Sequence, residues 1–266
     1  MRKRYKVHRA GLISLGLAAG LELAACGRGN DAAVRAILAN ESTQSGVAVA
    51  ASAPRATIKP SGVPATQGVI VQAGDSIGSG MGADNWAAID HLGLPRGIAI
   101  HNASAVGKWM LTGLGQRDTE IFPFHDKAHA SVLVIQQGTN DLMGGNTAPY
   151  LYFNILKPFV SLSQKAGFYV AVDTILPRSD PGWLDDSAHE RARLDYNNLV
   201  RENSIGADAI NDIAADPVIG DGVNPGTSSL FADGVHLRKE GQQRLAKIET
   251  KTLATLLQYP PRAPVP

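Results

Sequence analysis

Four short segments hold the residues best suited to chemistry. They are Gly74-Asp75-Ser76-Ile77-Gly78, Asn102-Ala103-Ser104-Ala105-Val106-Gly107, Gly138-Thr139-Asn140-Asp141 and, near the C-terminus, Asp233-Gly234-Val235-His236. A serine hydroxyl is a weak nucleophile at neutral pH and needs an adjacent base. Ser76, expected at a helix start, is the candidate nucleophile, and His236 is the candidate base that takes its proton and returns it to the leaving group. Asp233 precedes His236 by three residues, close enough to accept the Nδ1 proton and fix the tautomer. Each segment alone also has a plain structural reading. Ser76 can cap a helix, Asp75 and Asp141 can form turns, and Asn140 can bond its own backbone. Asn102 and Ser104 read as shapers of their turn.

The elements that must position these residues follow from the apolar pattern. Apolar runs at 68–73, 97–101, 131–137, 168–175 and 207–210 alternate with amphipathic stretches at 85–91, 107–118, 149–166, 187–204 and 239–257. Near-continuous Val/Ile content, as in Val132-Leu133-Val134-Ile135, suits strands covered on both faces of a parallel sheet. Strand–helix alternation predicts one open α/β sheet with right-handed crossovers. Ligands bind beyond the carboxyl ends of such strands. Three of the four segments follow predicted strands, and the fourth precedes the last predicted helix.

In content and order these segments resemble the four blocks of the SGNH (GDSL-type) hydrolases, over residues 68 to 257. The resemblance implies a three-layer α/β/α flavodoxin-like sandwich around a five-stranded parallel sheet. It assigns Ser76, Asp233 and His236 the catalytic roles derived above. It further implies an oxyanion hole built from the backbone N–H of Ser76, the backbone N–H of Gly107 and the side-chain amide of Asn140. Gly107 is expected to open a helix, where free N–H groups favour negative charge. No cofactor and no metal are implied.

Other motif readings fail on order or spacing. Gly74 to Gly78 also fits the G-x-S-x-G elbow of α/β-hydrolases, but there several strands precede the elbow. A chymotrypsin-like order needs the histidine upstream of the serine, and the one upstream histidine is His8. Gly78-Ser79-Gly80-Met81-Gly82-Ala83 matches a dinucleotide fingerprint but begins four residues past the strand, and the second strand ends without an acid. His125 and His129 share a helical spacing with no third ligand. His189-Glu190 meets Arg193 where a zinc-protease helix has its second histidine. Trp86, Trp109 and Trp183 fall after strand ends, where each can line an acyl or sugar pocket, although a tryptophan is more often simply part of the core. Trp183, in the 177–186 loop, is the foremost of them.

Location is written in the first 26 residues. The 266-residue chain has 25 Lys plus Arg, 24 Asp plus Glu and a formal charge of +1. Arg2, Lys3, Arg4, Lys6 and Arg9 stand there against the single acid Glu22, so residues 27–266 hold 20 bases and 23 acids, or −3. That balance offers no basic face for nucleic acid. A basic stretch followed by an apolar run from Ala10 to Ala25 reads as a secretory signal. Sixteen residues including Glu22 fall short of the about 20 that a membrane span needs. The exit Leu23-Ala24-Ala25-Cys26 resembles the lipobox of bacterial lipoproteins and holds the only cysteine. That resemblance implies lipidation of Cys26, and Gly27, where an Asp is absent, points to the outer membrane of a Gram-negative host. A lone cysteine excludes an internal disulfide framework.

The chain is therefore expected to divide into a lipoprotein signal (1–25), a Ser/Thr/Ala/Pro-rich tether (26–66), a hydrolase domain (67–259) and a Pro-rich tail (260–266). The expected activity is ester hydrolysis on short-chain or O-acetyl esters of small molecules, lipids or glycans. An acyl thioesterase or lysophospholipase of the same family, or a non-catalytic binding module on the same fold, stand as alternatives.

Overall fold

In the computed structural model, residues 59–265 are described. Cys26, the signal and most of the tether fall outside them. The sheet contains β1 (Gly68–Gly74), β2 (Ile98–Asn102), β3 (Ser131–Gln136), β4 (Tyr169–Asp173) and β5 (Ala209–Asn211), all parallel. Their order is β2-β1-β3-β4-β5, the flavodoxin-like arrangement. Every residue of β1, β3 and β4 is buried, because helices cover both faces. The edge strands β2 and β5 are only partly buried.

Period-two alternation divides the strand side chains between the layers. Ile70, Val132, Val134 and Ala171 pack with Leu253, Leu256 and Leu257 at the end of the last helix. Val71, Leu133 and Ile135 point to the opposite face and are fully buried there. The helices that bear on the site are α1 (Met110–Gly115), α2 (Thr139–Met143), α3 (Lys157–Lys165), α4 (Ser187–Glu202) and α5 (Lys239–Leu256). Chain order reverses between β1 and β3. A crevice opens at such a switch point, beyond the carboxyl ends of the strands. Both Ser76 and Asn140 leave the sheet there.

Several expected helices are shorter than their apolar pattern. The 85–91 stretch forms only a 3-10 turn, Ala88–His91, because Asp84 and Asn85 adopt left-handed φ of 52° and 61°. The 107–118 stretch begins its helix at Met110, after Gly107 has taken φ +71° and Trp109 an extended conformation. A short helix, Arg117–Glu120, follows. Between Ala148 and Lys165 the helical run includes a π-helical segment, Leu151–Leu156, where Lys157 N–H donates to Tyr152 O. α4 ends where Asn203 turns left-handed at φ 50° and its N–H closes the last turn.

Candidate active site

The chain leaving β1 does not enter a helix. Asp75 Oδ1 accepts the Ile77 N–H at 2.9 Å, and Ser79, Gly80 and Met81 N–H donate back to Asp75, Ile77 and Ser76 carbonyls. This succession of turns presents Ser76 on the inner wall of the crevice, 6% exposed. The expectation of a helix start at Ser76 is therefore corrected: Gly80 and Gly82 take φ of +77° and +85°, and the left-handed Asp84 and Asn85 follow.

His236 reaches Ser76 from the other end of the sequence. Its segment forms a tight loop closed by Ala232 N–H to His236 O at 2.8 Å and a bridge between Phe231 and Leu237. Asp233 Oδ1 accepts from the backbone N–H groups of Val235 and His236, at 3.1 and 2.9 Å. Its Oδ2 lies 2.7 Å from His236 Nδ1, and His236 Nε2 lies 2.9 Å from Ser76 Oγ. Partial burial pushes the Asp233 carboxyl up, but these bonds from His236 and Val235 outweigh it and hold the group below its ordinary range. Asp233 is thus kept ionised, oriented and pointed at the imidazole.

Two neighbours fix that loop. Ser179, after β4, donates its N–H to Gly234 O at 2.9 Å, and Gly234 has φ +82°. Gly82 lies directly against His236: a Cβ there would stand 2.8 Å from His236 Cβ. Arg178 braces the same side. Its guanidinium holds Asp180 through two bonds of 2.8 and 2.9 Å, donates to Thr139 Oγ1 at 3.2 Å and stacks 5.0 Å from the Trp183 ring. Composition and spacing gave no sign of Arg178, Ser179 or Gly82 as site neighbours, because each acts through a contact between distant segments.

The second and third segments meet beside Ser76. Asn102 and Gln72 donate to Gly78 O, Gln72 also to Ser104 Oγ, and Ser104 N–H to Asn102 Oδ1, so Asn102 and Ser104 do shape the turn. Ala105 N–H donates to Gly74 O, which carries the turn to the end of β1. Gly107 stands at its tip and faces open space: a Cβ added there would have no neighbour within 4 Å. Asn140, second residue of α2, donates one amide N–H to Lys108 O at 3.1 Å. Among the described residues, the backbone N–H groups of Ser76 and Gly107 have no protein acceptor. Gly107 does not open a helix as expected: α1 starts at Met110, whose N–H is capped by Asp141 Oδ2 at 2.8 Å. Gly107 offers its N–H from a left-handed turn.

Asp75 and Asp141 are structural in their contacts. Desolvation raises the Asp75 carboxyl to about 7, against the Ile77 N–H bond that lowers it, and the Asp141 charge raises it further. Desolvation likewise raises Asp141 to about 6, opposed by backbone bonds from Met110 and Leu111.

The tryptophans separate by environment. Trp183, the foremost pocket candidate, takes the core alternative: it is 1% exposed, Arg178 and His189 pack against its ring, and its Nε1–H bonds Glu190. Trp86 stacks on His91 at 3.9 Å. Trp109, two residues past Gly107, is 40% exposed and lies against Gly144 after α2. His125 bonds Arg262 O and His129 bonds Asp126, and no group of three or more potential ligands is gathered for a metal among the described residues.

The GDSL-like Lipase/Acylhydrolase family model matches residues 73–244, from the end of β1 into α5. The chain belongs to this family. The match spans all four segments, as well as the Arg178 brace. Among solved structures, this GDSL-like hydrolase is similar in fold to TesA, at 22% identity and TM-score 0.55, over 72% of this chain and all of that one. It is also similar to the lipase/acylhydrolase of Enterococcus faecalis, at 19% identity and TM-score 0.50, over 73% of this chain and 98% of that one. A third likeness is to a GDSL-like lipase of Bacteroides thetaiotaomicron, at 17% identity and TM-score 0.55, over 71% and 88% respectively. No curated protein matches the sequence.

Proposed function

We propose that this GDSL-like hydrolase is a serine esterase that cleaves short-chain or O-acetyl esters by acylation and deacylation of Ser76. The observation that carries the reading is the continuous relay Asp233 Oδ2–His236 Nδ1 at 2.7 Å and His236 Nε2–Ser76 Oγ at 2.9 Å. Ser76 Oγ attacks the acyl carbonyl while its proton passes to His236 Nε2. Asp233 stabilises the imidazolium and stays ionised. The oxyanion accepts the free N–H groups of Ser76 and Gly107 and the second amide N–H of Asn140. Collapse expels the alcohol oxygen, which takes the proton from His236. A water then repeats the attack with His236 as base, releasing the acid and restoring Ser76.

The absence of a long apolar lid helix among the described post-strand segments favours a small acyl group. Wild-type and Ser76→Ala proteins are compared on nitrophenyl acetate through nitrophenyl palmitate and on an acyl thioester. The expected result is wild-type turnover highest at acetate and abolished in the variant. Equal turnover by Ser76→Ala refutes the nucleophile assignment. A maximum at palmitate or on the thioester refutes the substrate class. Complete inactivity of the wild type favours a binding module.

We further propose that the enzyme is held in the cell envelope through lipid on Cys26, the reading supported by Leu23-Ala24-Ala25-Cys26 after a basic and apolar leader. Several acyl chains make a stable anchor where one is marginal. Radiolabelled palmitate should enter the wild type and be absent from Cys26→Ser; label that persists in the variant overturns the anchor.

A further inference from the structure

The turn that presents Gly107 is secured from beneath by a buried cation. Lys108 is the next residue, and only 7% of its side chain is exposed. Its ammonium donates to Ala103 O at 3.1 Å and to the carboxylate of Glu120, on the short helix after α1. Its backbone carbonyl accepts the Asn140 amide at 3.1 Å. Lys108 thus adjoins one oxyanion donor in sequence and holds a second by hydrogen bond. On its outer side the turn is open: Val106 is 66% exposed, and a Cβ at Gly107 would have no neighbour within 4 Å.

A buried ammonium is costly unless fully partnered, and a long apolar side chain would fill the same space without that cost. What the ammonium adds is a fixed length. Bonded to Ala103 O five residues back, it closes the 103–108 turn into a ring and ties that ring to Glu120. We propose that Lys108 is a positioning residue for the oxyanion site, holding the Gly107 N–H in place and orienting Asn140 through its own carbonyl. The proposal rests on the serine-esterase reading above. With one Asn140 N–H committed to Lys108 O, the amide plane is fixed and the other N–H is aimed before substrate arrives. Such preorganisation acts on the transition state more than on substrate binding.

The test is a double-mutant cycle on nitrophenyl acetate with Lys108→Met, Asn140→Ala and the pair. Lys108→Met should lower kcat about 10- to 10²-fold, at or below the low end of the range for outright loss of one oxyanion donor because the donors are displaced and not removed, and leave KM within about 2-fold. In the Asn140→Ala background the same change should cost several-fold less, because part of its effect passes through Asn140. Glu120→Gln keeps Lys108 and an acceptor, should lower kcat by less than Lys108→Met, and stands in should Lys108→Met fail to fold. An unchanged kcat in Lys108→Met, or an equal loss in both backgrounds, overturns the positioning role. A soluble Glu120→Gln that loses more kcat than Lys108→Met, or changes KM alone, overturns it too. If Ser76→Ala is inactive while Lys108→Met is unimpaired, only this proposal falls. If Ser76→Ala is as active as wild type, the esterase reading falls and this proposal with it.

Discussion

Replacing Gly82 by alanine should disable the enzyme through His236 while leaving every polar group of the site in place. A Cβ at residue 82 would meet His236 Cβ at 2.8 Å, Leu237 O at 3.1 Å and Ala232 Cβ at 3.2 Å. Carbon atoms in ordinary contact stand about 3.5–4.0 Å apart, so the two Cβ atoms must part by about 0.7 Å or more. The loop cannot yield elsewhere easily, because Ala232 and Leu237 crowd the same Cβ. Displacing His236 by that distance stretches its 2.9 Å contact with Ser76 past the range in which a hydrogen bond survives. A positioned general base is worth about 10² to 10⁴ in rate, and part of it is recovered when substrate binds. The expected loss in kcat/KM is thus about 10- to 10²-fold. Backbone strain must be separated from this. Gly82 has φ +85°, where an alanine costs about 1–2 kcal/mol. Gly222 supplies the control: its φ is +86° and a Cβ there has nothing within 4 Å. Gly222→Ala should lower Tm by about 2–4 °C per kcal/mol and keep its kcat/KM. The assay is nitrophenyl acetate hydrolysis beside thermal melting of both variants. If Gly82→Ala keeps the activity of Gly222→Ala, the close packing on His236 does not position the base and the reasoning is wrong.

Other consequences can be measured separately. Asn140→Ala removes the side-chain amide proposed as an oxyanion donor and should cost about 2.7–4 kcal/mol of transition-state stabilisation, read as a 10²- to 10³-fold fall in kcat with KM little changed; a change in KM alone would contradict it. Asp75→Asn should raise Tm above pH 7 and lose that advantage near pH 4. The buried carboxyl, raised to about 7 from 3.8, is neutral in both folded and unfolded chains at low pH. As pH climbs from 3.8 to 7 the unfolded chain ionises first and stability drains away, reaching roughly 4 kcal/mol by pH 8. A Tm difference that does not vary with pH would show that Asp75 is not held neutral by burial.

The sequence by itself determined the architecture, the family and the candidate site residues. Apolar runs of strand length separated by amphipathic stretches specify a parallel sheet, since only strands covered on both faces read as Val132-Leu133-Val134-Ile135. The five strands stand within a few residues of the apolar runs. Ser76, Asn140, Asp233 and His236 stood out as candidates because the serine-esterase reading places a nucleophile, an amide donor and an acid–base pair just beyond strands or before a helix, where the chain turns. Local backbone geometry was less legible. The helix starts expected at Gly107 and at Ser76 are turns, because Gly107, and after Ser76 the residues Gly80, Gly82, Asp84 and Asn85, take left-handed φ that no helix accommodates.

Only the tertiary structure decided how the pieces meet. Trp183 could from its loop position have been pocket wall or core, and packing against Arg178 and His189 makes it core. Gly82 and His236 are 154 positions apart, and Lys108 reaches Asn140 and Glu120 from different segments. No periodicity records such contacts, because they depend on which turns share the crevice at the β1–β3 switch point. The residue types suited to react are set locally by their chemistry. The distances that let them react are set by packing between segments far apart in the chain.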